Sequence, residues 1–366
     1  MMEGIILMDD LCFVSLPFQP VKEMSTPFYF STSILGEYMS NLFDSPYYMG
    51  INTLHSFKKY TEEECKEFEK KFDFIRKKNI YYDRDYIVDF VEVIRRLYES
   101  KDICIISKPT SVCVCGRIEI TQSEFNRFNE DSLEMQLEKN SEGRLICPYC
   151  KSELKFKNCE SLYLCFKEHE LNQEVNIYPH YLNSDFNHFR KSLLGGQLRV
   201  SRVRDTGVSI VLNNSVFNLD IDMLWKFIPL FYDEQQVVVL ATVKHLFPLF
   251  IINYLAQIIN RKNVCFAGLP FIETVGVKSN VLDFFRDERH EKALKLLVLL
   301  GIGWSKKNIR LQDSTCKYFM SSHIKNDKLY DFIFNISYDT TQWDEMCKII
   351  SSHTQLQKVL KLQNKK

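Results

Sequence analysis

The spacing of apolar residues predicts an alternation of strands and helices along most of the chain. In the segment 85–100 the apolar positions share one face of a helix, the pattern of an amphipathic helix that packs on a core. The segment 61–78 begins acidic and ends basic, which suits the two ends of a helix dipole. The predicted elements are a buried strand at 26–31, a helix that begins near Ser33, a strand at 47–51, helices at 61–78 and 85–100, alternation at 198–210, a strand at 237–241, a helix at 245–259, a strand at 263–267 and a helix at 287–300.

The pattern changes between residues 104 and 185, where short strands and turns surround a polar stretch at 126–143. Strands and helices alternate on both sides of this segment, which favours a doubly wound parallel sheet divided by an insertion. The predicted fold class is therefore α/β. The predicted units are 1–103 and 186–300 as two halves of one Rossmann-like domain, 104–185 as the insertion, and 301–366 as a short mixed or helical region.

Four cysteines in two close pairs lie in the predicted insertion: Cys113, Cys115, Cys147 and Cys150. Two thiolate pairs on separate turns supply the four soft ligands that Zn²⁺ prefers, and Gly116 and Pro148 suit the turns of a zinc knuckle. The alternative is a small core of four buried thiols without metal. The spacing favours structural zinc.

Composition excludes few partners. Lysine plus arginine equals aspartate plus glutamate at 47 each, so no overall field attracts DNA or an anionic membrane. Twelve cysteines without a framework spacing indicate a reducing compartment, and we expect a cytoplasmic protein. The most apolar stretch is interrupted by Asn253 and Gln257 and is too short to span a bilayer. The acidic N-terminal residues argue against a secretory signal.

Six segments, taken in order around the cysteine pairs, resemble the catalytic domain of class I aminoacyl-tRNA synthetases, and most closely methionyl-tRNA synthetase. The similarity runs from about residue 25 to about residue 300. Its segments are Thr26–Tyr29 with Ile34–Glu37, Gly50–His55, Val93–Ile103, Leu198–Arg202 with Gly207–Val208, Val216–Trp225, and Phe266–Asn280.

The resemblance implies ATP-dependent activation of an amino acid, methionine by inheritance, and transfer to a transfer RNA or to another acceptor. Carried over position by position, Lys278 and Ser279 are the catalytic candidates of the second signature, and Gly36 joins them in binding ATP. The candidates for the amino-acid pocket are Phe28, Thr53, His55, Asp220 and Trp225.

The departures from the family pattern are as informative as the matches. Ile34 and Glu37 occupy the two histidine positions of the first signature, and Val275 replaces the first lysine of the second. The family's ammonium-binding aspartate falls at Thr53. Removing one preorganised donor of this kind typically costs about 10²–10³ in rate, so ordinary activation is expected to be severely slowed.

Three functions follow from this comparison. The first is a synthetase-like ligase that serves a small acceptor or carrier, because the 87 residues after Ser279 leave no room for the family's anticodon-reading bundle. The second is a pseudoenzyme that binds an amino acid, an RNA end or a protein partner. The third is a divergent methionyl-tRNA synthetase. Lys244 and His245, at a predicted helix start, could hold an anion, although charges at a helix start are more often solvated. Arg199, Arg202 and Arg204 are expected on a solvated strand edge, and Glu291 with Lys295 on a helix surface.

Overall fold

The computed structural model describes residues 10–20, 28–55, 58–116, 118–121, 138–168, 175–193, 195–203, 207–259, 263–275, 288–296, 298–299, 308–312, 330–331 and 333–349. The strands of the first half are β1 (Leu11–Ser15), β2 (Tyr47–Ile51), β3 (Leu54–His55), β4 (Lys58–Lys59), β5 (Asn79–Tyr82), β6 (Ile103–Val112), β7 (Glu119–Thr121), β8 (Glu138–Lys139), β9 (Leu145–Ile146) and β10 (Lys155–Cys165). Those of the second half are β11 (Asn176–Tyr178), β12 (Gln197–Arg199), β13 (Ser201–Arg202), β14 (Val208–Leu212), β15 (Ser215–Leu219), β16 (Gln236–Thr242), β17 (Asn263–Leu269), β18 (Phe271–Val275) and β19 (Asn308–Gln312).

Seven α-helices in the described ranges accompany these strands, in addition to further helical residues such as 343–349. They are α1 (Phe28–Phe43), α2 (Glu62–Lys70), α3 (Ile87–Glu99), α4 (Asn183–Leu193), α5 (Ile221–Phe227), α6 (Leu246–Ile258) and α7 (Glu288–Leu296). Short 3₁₀ turns at Asp83–Tyr86 and Val243–His245 precede α3 and α6. None of the helices within these ranges combines the length and the apolar character that crossing a bilayer requires.

The main sheet has six parallel strands in the order β11-β17-β16-β1-β2-β5. From β1 the chain builds outward through β2 and β5 on one side, and through β16 and β17 on the other. The strand order therefore reverses between β1 and β16. This confirms the predicted α/β class and the parallel sheet.

Both faces of the sheet are buried, because alternate side chains of each strand enter different cores. Leu11 and Phe13 of β1 pack with α1, whereas Cys12 and Val14 pack on the side of α3, α5 and α6. A sheet covered on both faces reads as a continuous apolar run, as in β16. Trp343, near the end of the described chain, packs in the same core as α1.

The prediction of a strand at 26–31 that leads to a helix near Ser33 is wrong. Helix α1 already includes Phe28, and the first strand of the sheet is β1. The error has a physical cause: α1 is buried over nearly its whole length, so it lacks the polar face that shows a helical period. Strand β2 and helices α3 and α6 lie where the pattern predicted them, and α2 is shorter than predicted.

Strands β6, β7 and β10 form a four-stranded sheet with β12, which follows the predicted insertion, in the order β12-β10-β6-β7, dominated by the antiparallel pair β6 and β10. Strand β11, which lies within the predicted insertion, pairs with β17 of the main sheet, and the domain boundaries stay a prediction. A buried ion pair joins β7 to β12: the Arg199 guanidinium lies 2.6 Å from the Glu119 carboxylate. The alternation of Arg199 with Arg202 suggested a solvated strand edge, but the Arg199 side chain is buried.

Candidate functional site

The carboxyl ends of β1 and β16 form the place where a doubly wound sheet binds ligands, since the strand order reverses between them. Connections at such a point leave in opposite directions and open a crevice. Ser15 ends β1 and Thr242 ends β16. Polar side chains follow β2, β5 and β16 at this edge, at Asn52, Asp83 and His245.

Asn52 directly follows β2 and is 9 % exposed. Its backbone N–H donates to the carbonyl of Phe18, which holds the residue against the end of β1. Within the described part of the chain its side-chain Oδ1 has no hydrogen-bond partner. Because a buried acceptor without a donor is costly and uncommon, this amide is a candidate ligand contact.

Thr53 and Asp83 connect the ends of β2 and β5. Asp83 accepts hydrogen bonds from the Thr53 N–H at 2.7 Å, from the Thr53 hydroxyl at 2.5 Å and from the Leu54 N–H at 3.3 Å. Burial raises the pKa of Asp83, and these hydrogen bonds act in the opposite direction. The resemblance predicts that Thr53 stands where the synthetases have an ammonium-binding acid. In this structure Thr53 is hydrogen-bonded to a carboxylate, that of Asp83 at the end of the neighbouring strand.

Helix α5 packs against β3 and against the turn Asp83–Tyr86, which places it at the same edge. Its Lys226 is 8 % exposed, and its ammonium lies 4.1 Å from the centroid of the Trp225 ring. Burial lowers the pKa of Lys226 to about 8, partly offset by Asp222 and Asp220.

His245 lies next to this lysine, at the end of β16. Thr242 Oγ1 and His245 Nδ1 are 2.9 Å apart. Burial, together with the charges of Lys226 and Lys244, lowers the pKa of His245 to about 4, so the imidazole is neutral near pH 7. The edge thus combines a buried ammonium with a neutral imidazole at the start of α6.

Asp220, predicted in the amino-acid pocket, is the N-cap of α5 and accepts from the Asp222 N–H. Its other oxygen lies 2.5 Å from Nε of Arg202. The side chain is 3 % exposed. These contacts give Asp220 a structural task, and its role in binding an amine stays a prediction.

Gly36, predicted to bind ATP, lies in the middle of α1 rather than at a helix start. A Cβ at this position would lie 2.3 Å from Cε2 of the Tyr47 ring. The close packing of Tyr47 therefore accounts for the glycine. A mid-helix N–H is also used within the helix, so this geometry does not support a phosphate contact.

Glu37 and Lys295 form a buried ion pair, with Lys295 Nζ 2.7 Å from Glu37 Oε2 and side-chain exposures of 0 % and 3 %. The other Glu37 oxygen accepts the Arg76 N–H at 2.7 Å. Lys295 also contacts Glu291 at 3.0 Å, and Glu291 pairs with the Arg76 guanidinium. The expectation of a surface pair on α7 is wrong, because Lys295 points into the protein and joins α7 to α1.

Several predicted site residues cannot be placed. Lys278 and Ser279 lie outside the described residues, as does Arg204. Phe28 opens the described part of α1 and His55 ends β3, but their side chains lie outside the description. Thr53, Trp225 and His245 lie on elements that end or pack at this edge of the sheet, and the amino-acid pocket and the ATP-binding set stay predictions.

The four predicted metal ligands converge at the far end of the β6–β10 pair. Cys113 Sγ lies 3.2 Å from the sulfurs of Cys115 and Cys150, and Cys115 Sγ lies 3.7 Å from Cys147. All four sulfurs lie within 4.8 Å of one another. Tetrahedral thiolates with bonds of about 2.3 Å require sulfurs about 3.8 Å apart, so the cluster fits such a metal.

The turns around the cluster explain why the thiols meet. Gly116 and Lys151, which follow the two cysteine pairs, have φ angles of +70° and +58° and turn the chain back. Ile118, Ile120 and Leu154 pack beneath the buried Cys113 and Cys147. A hydrogen bond from the Ser152 hydroxyl lowers the pKa of Cys150 to about 6, which favours the thiolate that binds metal.

Sequence reasoning missed Asn52, Asp83 and Lys226. Asp83 was the easiest to find, because an acid directly after a strand of a parallel sheet lies at the ligand edge. Lys226 lies one residue after the predicted Trp225, yet nothing in the sequence distinguishes it from a solvated helix lysine. Its burial depends on α5 packing across the strand ends.

Comparison with solved structures finds this fold in methionyl-tRNA synthetase of Mycobacterium tuberculosis. The enzyme in complex with methionyl-adenylate matches with a TM-score of 0.61 at 11 % identity, over 87 % of this chain and 69 % of that chain. A second structure of the enzyme with methionyl-adenylate matches with a TM-score of 0.62 at 12 % identity, over 87 % of this chain and 69 % of that chain. The apo form matches with a TM-score of 0.55 at 11 % identity, over 87 % of this chain and 67 % of that chain. No protein-family model and no curated protein matches the sequence. At such low identity the similarity establishes the fold.

Proposed function

We propose that this protein binds a free amino acid at the carboxyl edge of its six-stranded sheet, in a site of the class I synthetase type. The observation that carries the proposal is the buried Oδ1 of Asn52, which has no hydrogen-bond partner among the residues that the structure describes. An acceptor in this position suits a ligand ammonium. The carboxylate of Asp83 is close by, since it accepts a hydrogen bond from the hydroxyl of the neighbouring Thr53. Methionine is the first amino acid to test, because the structural neighbours bind its adenylate.

The inherited chemistry is ATP-dependent formation of an aminoacyl-adenylate and transfer of the aminoacyl group. In the proposed enzyme the acceptor is a small molecule or carrier. The cationic groups of Lys226 and Lys244 support this reading, since they lie where charge on a carboxylate or phosphate can be stabilised. Lys278 and Ser279 are the proposed ATP contacts, and zinc is the proposed occupant of the cysteine cluster.

The second candidate is a non-catalytic synthetase relative that binds the amino acid, or an aminoacyl group on a partner, without activating it. The Glu37–Lys295 pair favours it. A residue that the sequence places in the first ATP signature is neutralised inside the protein by Lys295 and serves packing.

Two measurements separate these functions. Calorimetric titration with each common amino acid tests binding, and the proposal expects one of them to bind wild type and to lose affinity in Asn52→Leu. Asn52→Asp, which keeps an acceptor, retains binding and serves as the matched control. Absence of amino-acid binding to wild type contradicts the proposal. ATP–pyrophosphate exchange that disappears in Lys278→Ala then establishes the ligase, whereas binding without exchange establishes the non-catalytic relative.

A further inference from the structure

Lys226 carries a buried charge that the protein itself does not match. A lysine that only covers apolar surface extends its ammonium to water, yet Lys226 is 8 % exposed. In the described part of the chain Nζ donates one hydrogen bond, to the carbonyl oxygen of Asp222 one turn earlier, and no carboxylate lies within ion-pair distance. An ammonium has three donors, so two of them have no acceptor among the described residues.

Asp220, whose charge acts on Lys226, already accepts hydrogen bonds from other groups. The two oxygens of Asp220 accept from Nε of Arg202 and from the backbone N–H of Asp222. Asp222 offers Lys226 its backbone oxygen rather than its exposed carboxylate. Lys226 and Lys244 both lower the pKa of His245. The groups near Lys226 on this side are therefore a second lysine and a neutral imidazole. Among the described residues no carboxylate therefore pairs directly with Lys226, and Asp220 and Asp222 act on it only at longer range.

We propose that Lys226 binds the anionic group, a carboxylate or a phosphate, of the small ligand that occupies the carboxyl edge of the sheet. The inference rests on the proposed function for the identity of the ligand, and on the burial and single hydrogen bond of Lys226 for the contact. The Trp225 ring beneath Nζ shields the ammonium from water without neutralising it. A ligand anion supplies both the missing acceptor and the missing charge.

The test compares ligands that differ only in the anionic group. Methionine is paired with methioninol, and AMP with adenosine, and each is titrated calorimetrically into the full-length wild type, Lys226→Met and Lys157→Met. Methionine has nearly the volume of lysine, and Lys157 is an exposed residue of β10 in the insertion. Wild type is expected to prefer one anionic partner by about tenfold to a hundredfold, the usual effect of a charged hydrogen bond. Lys226→Met loses this preference, and Lys157→Met keeps it.

The outcomes distinguish the two sources of the anion. Loss confined to the methionine pair identifies the ligand carboxylate, and loss confined to the AMP pair identifies a phosphate. Equal preference in wild type and Lys226→Met overturns the inference, as does binding without any preference. If Lys226→Met does not fold, Lys226→Gln takes its place, and Lys226→Arg is expected to restore the preference.

Wild type that binds neither these ligands nor any other common amino acid contradicts the proposed function, and the lysine is then tested with inorganic phosphate alone. A phosphate-dependent rise in the melting temperature that is present in wild type and absent in Lys226→Met still supports an anion site. No rise, or the same rise in both proteins, overturns it.

Discussion

Lys295 Nζ lies 2.7 Å from Glu37 Oε2 in a buried pair that joins the last long described helix to the first. Burial lowers the pKa of Lys295, and Glu37, with smaller contributions from Tyr330 and Glu291, more than offsets this, so the pKa is raised. The rings of Tyr330 and Phe334 lie 5.9 Å and 5.8 Å from the ammonium. The pair therefore connects α1, α7 and the C-terminal described residues.

Breaking this pair from one side is expected to be costly. Lys295→Met leaves the Glu37 carboxylate buried without its partner and should lower the free energy of unfolding by about 3–5 kcal/mol. The double variant Glu37→Leu/Lys295→Met removes both charges and should be more stable than either single variant. Urea unfolding followed by circular dichroism measures the difference.

The exposed pair Lys77–Asp44 provides the control, with a distance of 3.2 Å and side-chain exposures of 50 % and 84 %. Asp44→Asn should change stability by less than about 1 kcal/mol. A Lys295→Met variant as stable as Asp44→Asn contradicts the buried ion pair.

Gly36→Ala tests whether the glycine serves packing. The added methyl overlaps the Tyr47 ring, and the variant should lose about 1–3 kcal/mol of stability although alanine is the better helix former. In a Tyr47→Leu background the same substitution should cost much less, because the ring is gone. An unchanged melting temperature in the single variant contradicts the packing explanation.

The cysteine cluster predicts about one zinc per chain, bound by four thiolates. Cys147→Ser should abolish zinc binding measured by atomic absorption and loosen the end of the β6–β10 pair in hydrogen exchange. The main sheet should keep its protection. Cys159→Ser removes a buried thiol outside the cluster and should retain the metal. Metal-free wild type purified without chelators contradicts the site.

His245 predicts a loss of stability in mild acid. Its pKa falls from 6.5 to about 4 in the folded protein, so the unfolded chain binds more protons between these values. Stability attributable to His245 is complete above about pH 6.5 and decreases as the pH falls towards 4, by at most about 3 kcal/mol. Unfolding measured from pH 7 to pH 4 should show a smaller decrease for His245→Gln than for wild type. His188→Gln, at an exposed position, should follow the wild type.

The sequence was sufficient for the overall fold because buried parallel strands and long helices leave local signals. Strands β2, β16 and β17 and helices α3 and α6 were predicted from apolar spacing alone. Helix α1 was misassigned at its start, since a helix buried on all sides has no period to detect. The four cysteines are predictable as metal ligands because two pairs of residues close in sequence can converge on a metal with little loss of chain entropy.

The candidate site was harder to predict because its key contacts join distant segments. Glu37 meets Lys295 across 258 residues, and only the packing of α7 on α1 turns a common helix-surface pair into a buried one. The partner of Thr53 comes from the next strand, at Asp83. Lys226 depends on α5 lying across the strand ends. Sequence identifies such residues as ordinary polar positions until the topology brings them together.

A crystal structure of the full chain with its bound amino acid tests the central claim most directly. The ligand is expected at the carboxyl ends of β1 and β2, with its ammonium within hydrogen-bond distance of Asn52 Oδ1. A ligand bound elsewhere, with the Asn52 amide paired to the protein, contradicts the account.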